Sequence, residues 1–246
     1  MSIKFISDIH LSPERKDVTQ SFSHYMKNRA LEADALYILG DFFHIWIGDD
    51  AMEEWHYNIT KLLREYVCTG RSLYVMSGNH DFCYGKKFIE ETGCYLLDEP
   101  HVLCYQGQQV LLIHGDMLCT EDKSYQRYKK IIRNKLVIKL LLALPLSYRN
   151  KLANSISKKS KFQDNSEQII NDLLNIPDSE VIKLMNQYQV TTLIHGHTHR
   201  PNKHDIALGH NKIGTRYVLG DWNNYGWDIT IQDNHIDLQK FDLSKL

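Results

Sequence analysis

The chain has 246 residues, 43% of them hydrophobic and 24% charged, with a formal net charge of −1. These are ordinary values for a globular protein, with room for one large domain or one domain plus an insertion, and alone they exclude no chemistry. The N-terminus lacks a signal-peptide pattern. The longest apolar stretch, Leu136 to Leu146, contains Lys139 and Pro145 and falls short of the ~20 residues that span a bilayer.

In chain order, short apolar runs each end in a polar cluster. Ile3–Ile6 leads to Ser7-Asp8-Ile9-His10, and Ala35–Leu39 leads to Gly40-Asp41. Leu73–Met76 leads to Ser77-Gly78-Asn79-His80-Asp81, and Val110–Ile113 leads to His114-Gly115-Asp116. Thr191–Ile194 leads to His195-Gly196-His197-Thr198-His199. Near-continuous apolar runs of this length suit strands buried on both faces. Helix-length segments at about 17–33, 52–67 and 85–92 lie between the early runs, so a largely parallel sheet with outer helices is predicted. Residues 101–113 read as a hairpin. Further strands are predicted over 203–219 and 226–241, with turns at Gly209-His210-Asn211 and Gln232-Asp233-Asn234. The later strands predict a second, more antiparallel sheet. Residues 121–170 read as a helical insertion and 178–188 as the helix leading back into the sheet.

The five cysteines are odd in number and form no Cys-x-x-Cys pair, which points to reduced thiols in a cytoplasmic protein rather than a disulfide framework. Charge is uneven. From Lys123 to Lys161 there are 12 Lys and Arg and no acidic residue, leaving 17 basic and 30 acidic residues elsewhere. Such a segment either attracts an anionic partner or is a solvated helical face.

Asp8, His10, Asp41, Asn79, His114, His195 and His197 all fall just past strand ends, the edge of an open α/β sheet where ligands bind. On extended chain, Asp8 and His10 would point the same way, as would His195 and His197. An isolated Asp-x-His is common, Asn-His-Asp can be a turn, and His-Gly-His-x-His can be a loose surface site. All five motifs at strand ends favour one centre. Carboxylate, imidazole and amide donors suit Mn²⁺, Fe²⁺ or Zn²⁺. Seven donors exceed a single tetrahedral site and suit two cations sharing a carboxylate, with Asp41 the candidate bridge.

Asp8-x-His10, Gly40-Asp41, Gly78-Asn79-His80-Asp81, His114-Gly-Asp116 and His195-Gly-His197 resemble, in full order, the calcineurin-like metallophosphoesterases. The resemblance implies a single domain over 1–246 with a four-layer α/β/β/α sandwich and a helical lid insertion at about 121–170. It assigns one metal to Asp8, His10, Asp41 and His197, and the other to Asp41, Asn79, His114 and His195. Further stretches extend over nearly the whole chain: Ala33–Asp41, Trp46–Asp50, His114–Asp122, Tyr125-Gln126, Leu144–Leu146, Ile194–Pro201 and Val218–Trp222. These resemble the UDP-2,3-diacylglucosamine hydrolase family.

That likeness implies Mn²⁺-dependent cleavage of the substrate pyrophosphate at the α-phosphate. The products would be UMP and 2,3-diacylglucosamine 1-phosphate, in lipid A synthesis. It also implies a cytoplasmic enzyme bound peripherally to the inner membrane. The catalytic residues would be Asp41, Asn79, His80 and His195, and the substrate contacts Asn79, His80, Asp122, Tyr125, Ser160, Asn165 and His195. Trp46, Phe82 and the 136–153 helix would line an acyl chamber. No nucleic acid and no obligate protein partner are expected.

Two positions depart from the family pattern. His80 stands where Arg is common, which would make a phosphate contact sensitive to pH. Residues 162–167 carry an apparent extra residue and lack a Lys expected near Glu167. Both departures keep a soluble-substrate phosphodiesterase or nucleotide pyrophosphatase open as an alternative; a binding scaffold with a decayed site would lack ligands, and none is missing.

Independently of the resemblance, Tyr128, Ile131, Ile132, Lys135, Leu136 and Lys139 recur at helical spacing before Leu140–Leu146. This pattern fits an interfacial helix, or a cap packed on the core. The stretch is too apolar for a phosphate track and has no aromatic ladder for stacked bases.

Overall fold

The computed structural model describes residues 1–120, 123–153, 176–209 and 211–245. Asp122, Ser160 and Asn165, His210 of the predicted turn, and the 154–175 part of the insertion lie outside the described residues.

The first half is strand–helix alternation. β1 (Ser2–Ile6), β2 (Ala35–Leu39), β3 (Ser72–Met76) and β4 (Tyr95–Leu97) pair in parallel, in that order. α1 (Lys16–Lys27), α2 (Glu54–Cys68) and α3 (Lys86–Thr92) lie between them in sequence. The second sheet holds β5 (His101–Tyr105), β6 (Gln108–Leu112), β7 (Thr192–His195), β8 (Asn202–Gly209) and β9 (Lys212–Val218), in the order β5-β6-β7-β9-β8. Its outer pairs are antiparallel, while β6–β7 and β7–β9 are parallel.

The C-terminal hairpin, β10 (Tyr225–Gln232) and β11 (His235–Asp242), departs from expectation. It joins the first sheet, with β10 antiparallel to β1. Ile229 and Ile231 stand opposite Phe5 and Ile3, and all four side chains enter the core between the sheets. Pairing here covers a β1 edge whose backbone would otherwise lack partners.

Alternation along each strand builds the layers. Ala35, Tyr37 and Leu39 of β2 enter the inter-sheet core, whereas Leu36 and Ile38 face the helices. Val18, Phe22, Tyr25 and Met26 of α1, with Ile59, Leu63 and Tyr66 of α2, meet that outer face at helical spacing. On the far side, α6 (Asp178–Gln187) sets Val181, Leu184 and Met185 against Leu111, Ile113 and Leu193. Three buried clusters separated by two sheets are the four layers predicted.

The insertion opens with α4 (Lys123–Ile132) and α5 (Lys135–Leu142), followed by helical residues 146–153. The Asn134 side chain accepts the Leu136 N–H at 2.9 Å and starts α5. Ile138, Leu141 and Leu142 pack on the first core, while Leu136 and Leu140 face outward. Among the described residues, no helix is long and apolar enough to cross a membrane.

Candidate metal centre

The loops past the strand ends are stitched together by backbone hydrogen bonds. Asp8 N–H donates to Gly40 O at 3.1 Å and His10 N–H to Asp41 O at 3.0 Å. Gly196 N–H donates to His114 O at 2.8 Å, and Trp222 N–H to Asp8 O at 3.3 Å. Both sheets therefore deliver their loops to one place.

The local backbone corrects one sequence expectation. Asp8, His10, Asp41, His197 and His199 have φ of 54°, 51°, 50°, 67° and 55°. They occupy the left-handed region, so extended-chain alternation does not orient Asp8 with His10 or His195 with His197. Non-glycine residues adopt this conformation at a cost of order 1–3 kcal/mol each and keep it where surroundings impose it. Glycine is required beside two of them. A Cβ on Gly78 would collide with the Asp41 carboxylate and backbone, and one on Gly196 with Asp8 and Ser7.

Two donor groups result, Asp8–His10–His199 and Asp41–His114–His197, each with its ligand atoms within 4.8 Å of one another. Asp41 Oδ2 lies 3.5 Å from His114 Nε2, 3.8 Å from His10 Nε2 and 4.0 Å from His80 Nε2. Asn79 Oδ1 is 2.9 Å from His114 Nε2. Thus Asp8, His10, Asp41, Asn79, His114 and His197 come together. His195 belongs to neither group, but it is fully buried and near enough to Asp8 and His114 to feel their charge.

Polar neighbours set the imidazole orientations. His114 Nδ1 sits 2.9 Å from Leu39 O and His195 Nδ1 2.8 Å from Gly196 O. With Nδ1–H donating to these carbonyls, Nε2 of each ring is the atom that faces a ligand, which at His114 must first displace a proton. His80 Nδ1 is likewise 2.9 Å from His44 O.

The charge balance suits cations. Burial, reinforced by neighbouring imidazoles, pushes His10 well below its ordinary pKa, and burial first of all takes His195 and His197 down to about 3. All three are neutral at pH 7, the form that binds metal. Burial would raise Asp8, but the His199 hydrogen bond and the surrounding imidazoles hold it below the usual carboxylate range. Burial raises Asp41 despite His114 and His80. For His114, burial is outweighed by Asp41, Asp8, Asp116 and Glu99, which raise it to about 9. In the metal-free protein a proton on His114 therefore partly neutralises Asp41. His10 Nδ1 and His195 Nε2 are buried without a hydrogen-bond partner. Orphaned acceptors of this kind in a carboxylate–imidazole site fit bound divalent cations.

Several contributors were not assigned from sequence. Asp81, quoted only as part of a motif, accepts from the backbone N–H of Gly78 (2.7 Å), Phe42 (2.7 Å), Phe43 (3.2 Å) and Asp41 (3.3 Å), and from Tyr84 OH (2.6 Å). His199, the third imidazole of its motif, reaches Asp8 at 3.4 Å. Asp116 accepts from Lys129 at 2.6 Å, Tyr125 OH at 2.8 Å and Arg133 at 3.2 Å. Glu99 accepts from Arg133 at 2.7 Å and from the His114 N–H at 2.8 Å. Sequence order carries no sign that α4 would anchor here; an acidic pair with no local basic partner was the available clue.

The Calcineurin-like phosphoesterase family model matches residues 1–201. The chain is 43% identical over 242 residues to a UDP-2,3-diacylglucosamine hydrolase of Pseudomonas fluorescens, covering 98% of this chain and 96% of that protein. It is 44% identical over 234 residues to one from Pseudomonas aeruginosa, covering 95% and 96% respectively. Among solved structures, an archaeal phosphodiesterase aligns at 9% identity and TM-score 0.49 over 98% of this chain and 99% of that one. A phosphoesterase from E. coli aligns at 15% and 0.45 over 99% and 100%. With the centre's donors drawn from both sheets and relatives matching nearly end to end, the chain belongs to the calcineurin-like phosphoesterases and, within them, to the UDP-2,3-diacylglucosamine hydrolase family.

Proposed function

We propose that this hydrolase cleaves the pyrophosphate of UDP-2,3-diacylglucosamine at the α-phosphate with two Mn²⁺ ions, giving UMP and 2,3-diacylglucosamine 1-phosphate. The observation that carries the reading is buried Asp41 standing between the two sides, its Oδ2 3.5 Å from His114 Nε2 and 3.8 Å from His10 Nε2. Asp8, His10, Asp41 and His197 would hold one cation, and Asp41, Asn79, His114 and His195 the other. When bound, the cations supply a water of lowered pKa and neutralise charge growing on the phosphoryl oxygens.

The chain's residues do the rest. Asp81 holds the loops carrying Asp41 and Asn79 in register. His80, 35% exposed with Nε2 4.0 Å from Asp41, faces the position of an incoming phosphate. The Asn79 amide and His195 hold the same phosphate. Tyr125, bound to Asp116, fixes α4 beside the site. Asp122 and Ser160 are the proposed contacts to the sugar, and Asn165 is a further proposed substrate contact.

A cleft of mixed lining, with an apolar wall, supports a lipid substrate. It has a volume of about 710 Å³, begins at Leu11, next to His10, and continues past Trp46, Met52, Trp55 and Leu146. Each CH₂ of an acyl chain buried there contributes about 0.8 kcal/mol. Phe82 packs against the first core rather than lining this cleft.

The exposed side of the insertion supports peripheral binding to an anionic membrane. Ile131 (63% exposed), Leu136 (72%) and Leu140 (70%) are interleaved with exposed Lys130, Lys135 and Lys139.

The test incubates purified protein with UDP-2,3-diacylglucosamine and Mn²⁺, with products identified by mass, beside UDP-glucose and an aryl phosphodiester. UMP and the diacyl sugar phosphate are expected, at a rate well above that on UDP-glucose, and Asp41→Ala should lose metal and activity together. Equal turnover of UDP-glucose would favour the second reading, a pyrophosphatase for soluble substrates, which His80 in place of the family's common Arg supports. Full activity after divalent ions are stripped would sink both.

A further inference from the structure

Beside the two carboxylate-bearing groups stands a third cluster made only of imidazoles. His10, His44 and His80 each offer a ring nitrogen, and these atoms lie within 4.8 Å of one another. The ring centroids form a triangle with sides of 5.0, 5.6 and 6.2 Å. A cation bound at ~2.0–2.1 Å by three imidazoles in tetrahedral or trigonal geometry sets the centroids about 5.2–5.5 Å apart, so small side-chain adjustments suffice. His80 presents Nε2, because its Nδ1 is held by the His44 carbonyl. His10 Nδ1 is buried without a hydrogen-bond partner. The trio is partly open to solvent, which leaves a coordination position for water.

We propose that His10, His44 and His80 form a further metal site that takes Zn²⁺, and that its occupation inhibits hydrolysis. The donor set decides the ion. Three imidazoles, with the Asp41 carboxylate 3.8 Å from His10 and 4.0 Å from His80, suit Zn²⁺ over harder Mn²⁺, whereas each Asp-based group includes the carboxylate oxygen that Mn²⁺ favours. Sharing of His10 decides the effect. A neutral imidazole has one ring lone pair, so His10 serves one cation at a time. Zn²⁺ at the trio therefore withdraws His10 from the catalytic pair and engages His80. The inhibitory consequence rests on the dinuclear reading above; the site itself does not.

The experiment is equilibrium dialysis of purified full-length protein against Zn²⁺, with bound metal counted for wild type, His44→Ala and His44→Gln. Wild type should bind Zn²⁺ at one site at least about tenfold more tightly than either variant does. Equal numbers bound with equal affinity in wild type and both variants would overturn the proposal. How many equivalents the variants retain separately tests the dinuclear centre, so failure of one idea is distinguishable from failure of the other. Metal-free melting temperatures confirm that the variants fold. Turnover of each variant in Mn²⁺ alone sets the reference for its own inhibition curve. With Zn²⁺ added, half-inhibition should need at least about tenfold more Zn²⁺ than wild type does; identical inhibition curves would overturn the inhibitory role.

Discussion

Asp81 accepts five hydrogen bonds while fully buried, and four of them come from backbone N–H groups around Asp41 and Gly78. Asn is the same size but offers one acceptor oxygen and brings two donors into a nest of donors. Asp81→Asn should cost about 3 kcal/mol, through lost hydrogen bonds to a charged group and unsatisfied N–H groups. In a chain of this length that lowers the melting temperature by about 6–12 °C. Turnover should fall about 10- to 100-fold, as for partners that orient metal ligands. Calorimetry and steady-state rates check the two effects; a variant that melts and turns over like wild type would remove Asp81 from the positioning role.

His114 offers a pH signature at the same scale. Its pKa rises from 6.5 to about 9 in the metal-free fold. The interaction behind that rise stabilises the metal-free protein fully below pH 6.5 and is lost as pH climbs through about 9. A cation must displace this proton. Apparent metal affinity should therefore strengthen about tenfold per pH unit from neutral pH and level off above about pH 9. Metal titrations at pH 7 and pH 8 measure it; a pH-independent dissociation constant would show that His114 does not exchange its proton for metal.

At the scale of elements, α4 is more than a cover. Lys129 and Arg133, one turn apart, reach the buried Asp116 and Glu99 that flank His114. Two buried carboxylates need this cationic pair, because an unpaired charge in such a place is costly. Arg133→Leu should destabilise the protein by about 2 kcal/mol, since Lys129 still serves both acids. It should also make residues 123–153 more open to proteolysis. Arg133→Lys should recover much of the loss, and equal protease sensitivity of all three proteins would exclude the anchoring role.

That this segment is helical was legible in the sequence, but the breaks at 133–134 and 143–145, which interrupt the expected 136–153 helix, and the side of α4 that faces the metal loops were not. Apolar Tyr128 and Ile131 point outward while charged Lys129 and Arg133 point in. Hydrophobic period alone would have turned α4 the other way, and Asp116 and Glu99 override it.

For the whole molecule, both sheets direct loops to one edge, and the insertion carries an exposed apolar and basic face next to it. Binding of anionic phospholipid vesicles should fall at least about tenfold in Leu136→Asp/Leu140→Asp, because apolar burial is lost and two repulsive charges are added. The melting temperature should barely move, since both leucines are about 70% exposed. Co-sedimentation with vesicles tests this, and unchanged binding would mean that another face meets the membrane.

Donor types and their stations at strand ends were legible in the order of residues. Asp8, His10, Asp41, Asn79, His114 and His197 are all within a few residues of an apolar run, and short covalent spacing transmits such information directly. The packing of distant segments against one another settled the rest. It put β10 and β11 on the first sheet, because the edge of β1 needed a partner. It imposed left-handed backbone at five donor-bearing residues, because loops from both sheets crowd one point. It also brought His44 to His10 and His80, a proximity that no local pattern encodes, since it arises from packing rather than from neighbourhood along the chain.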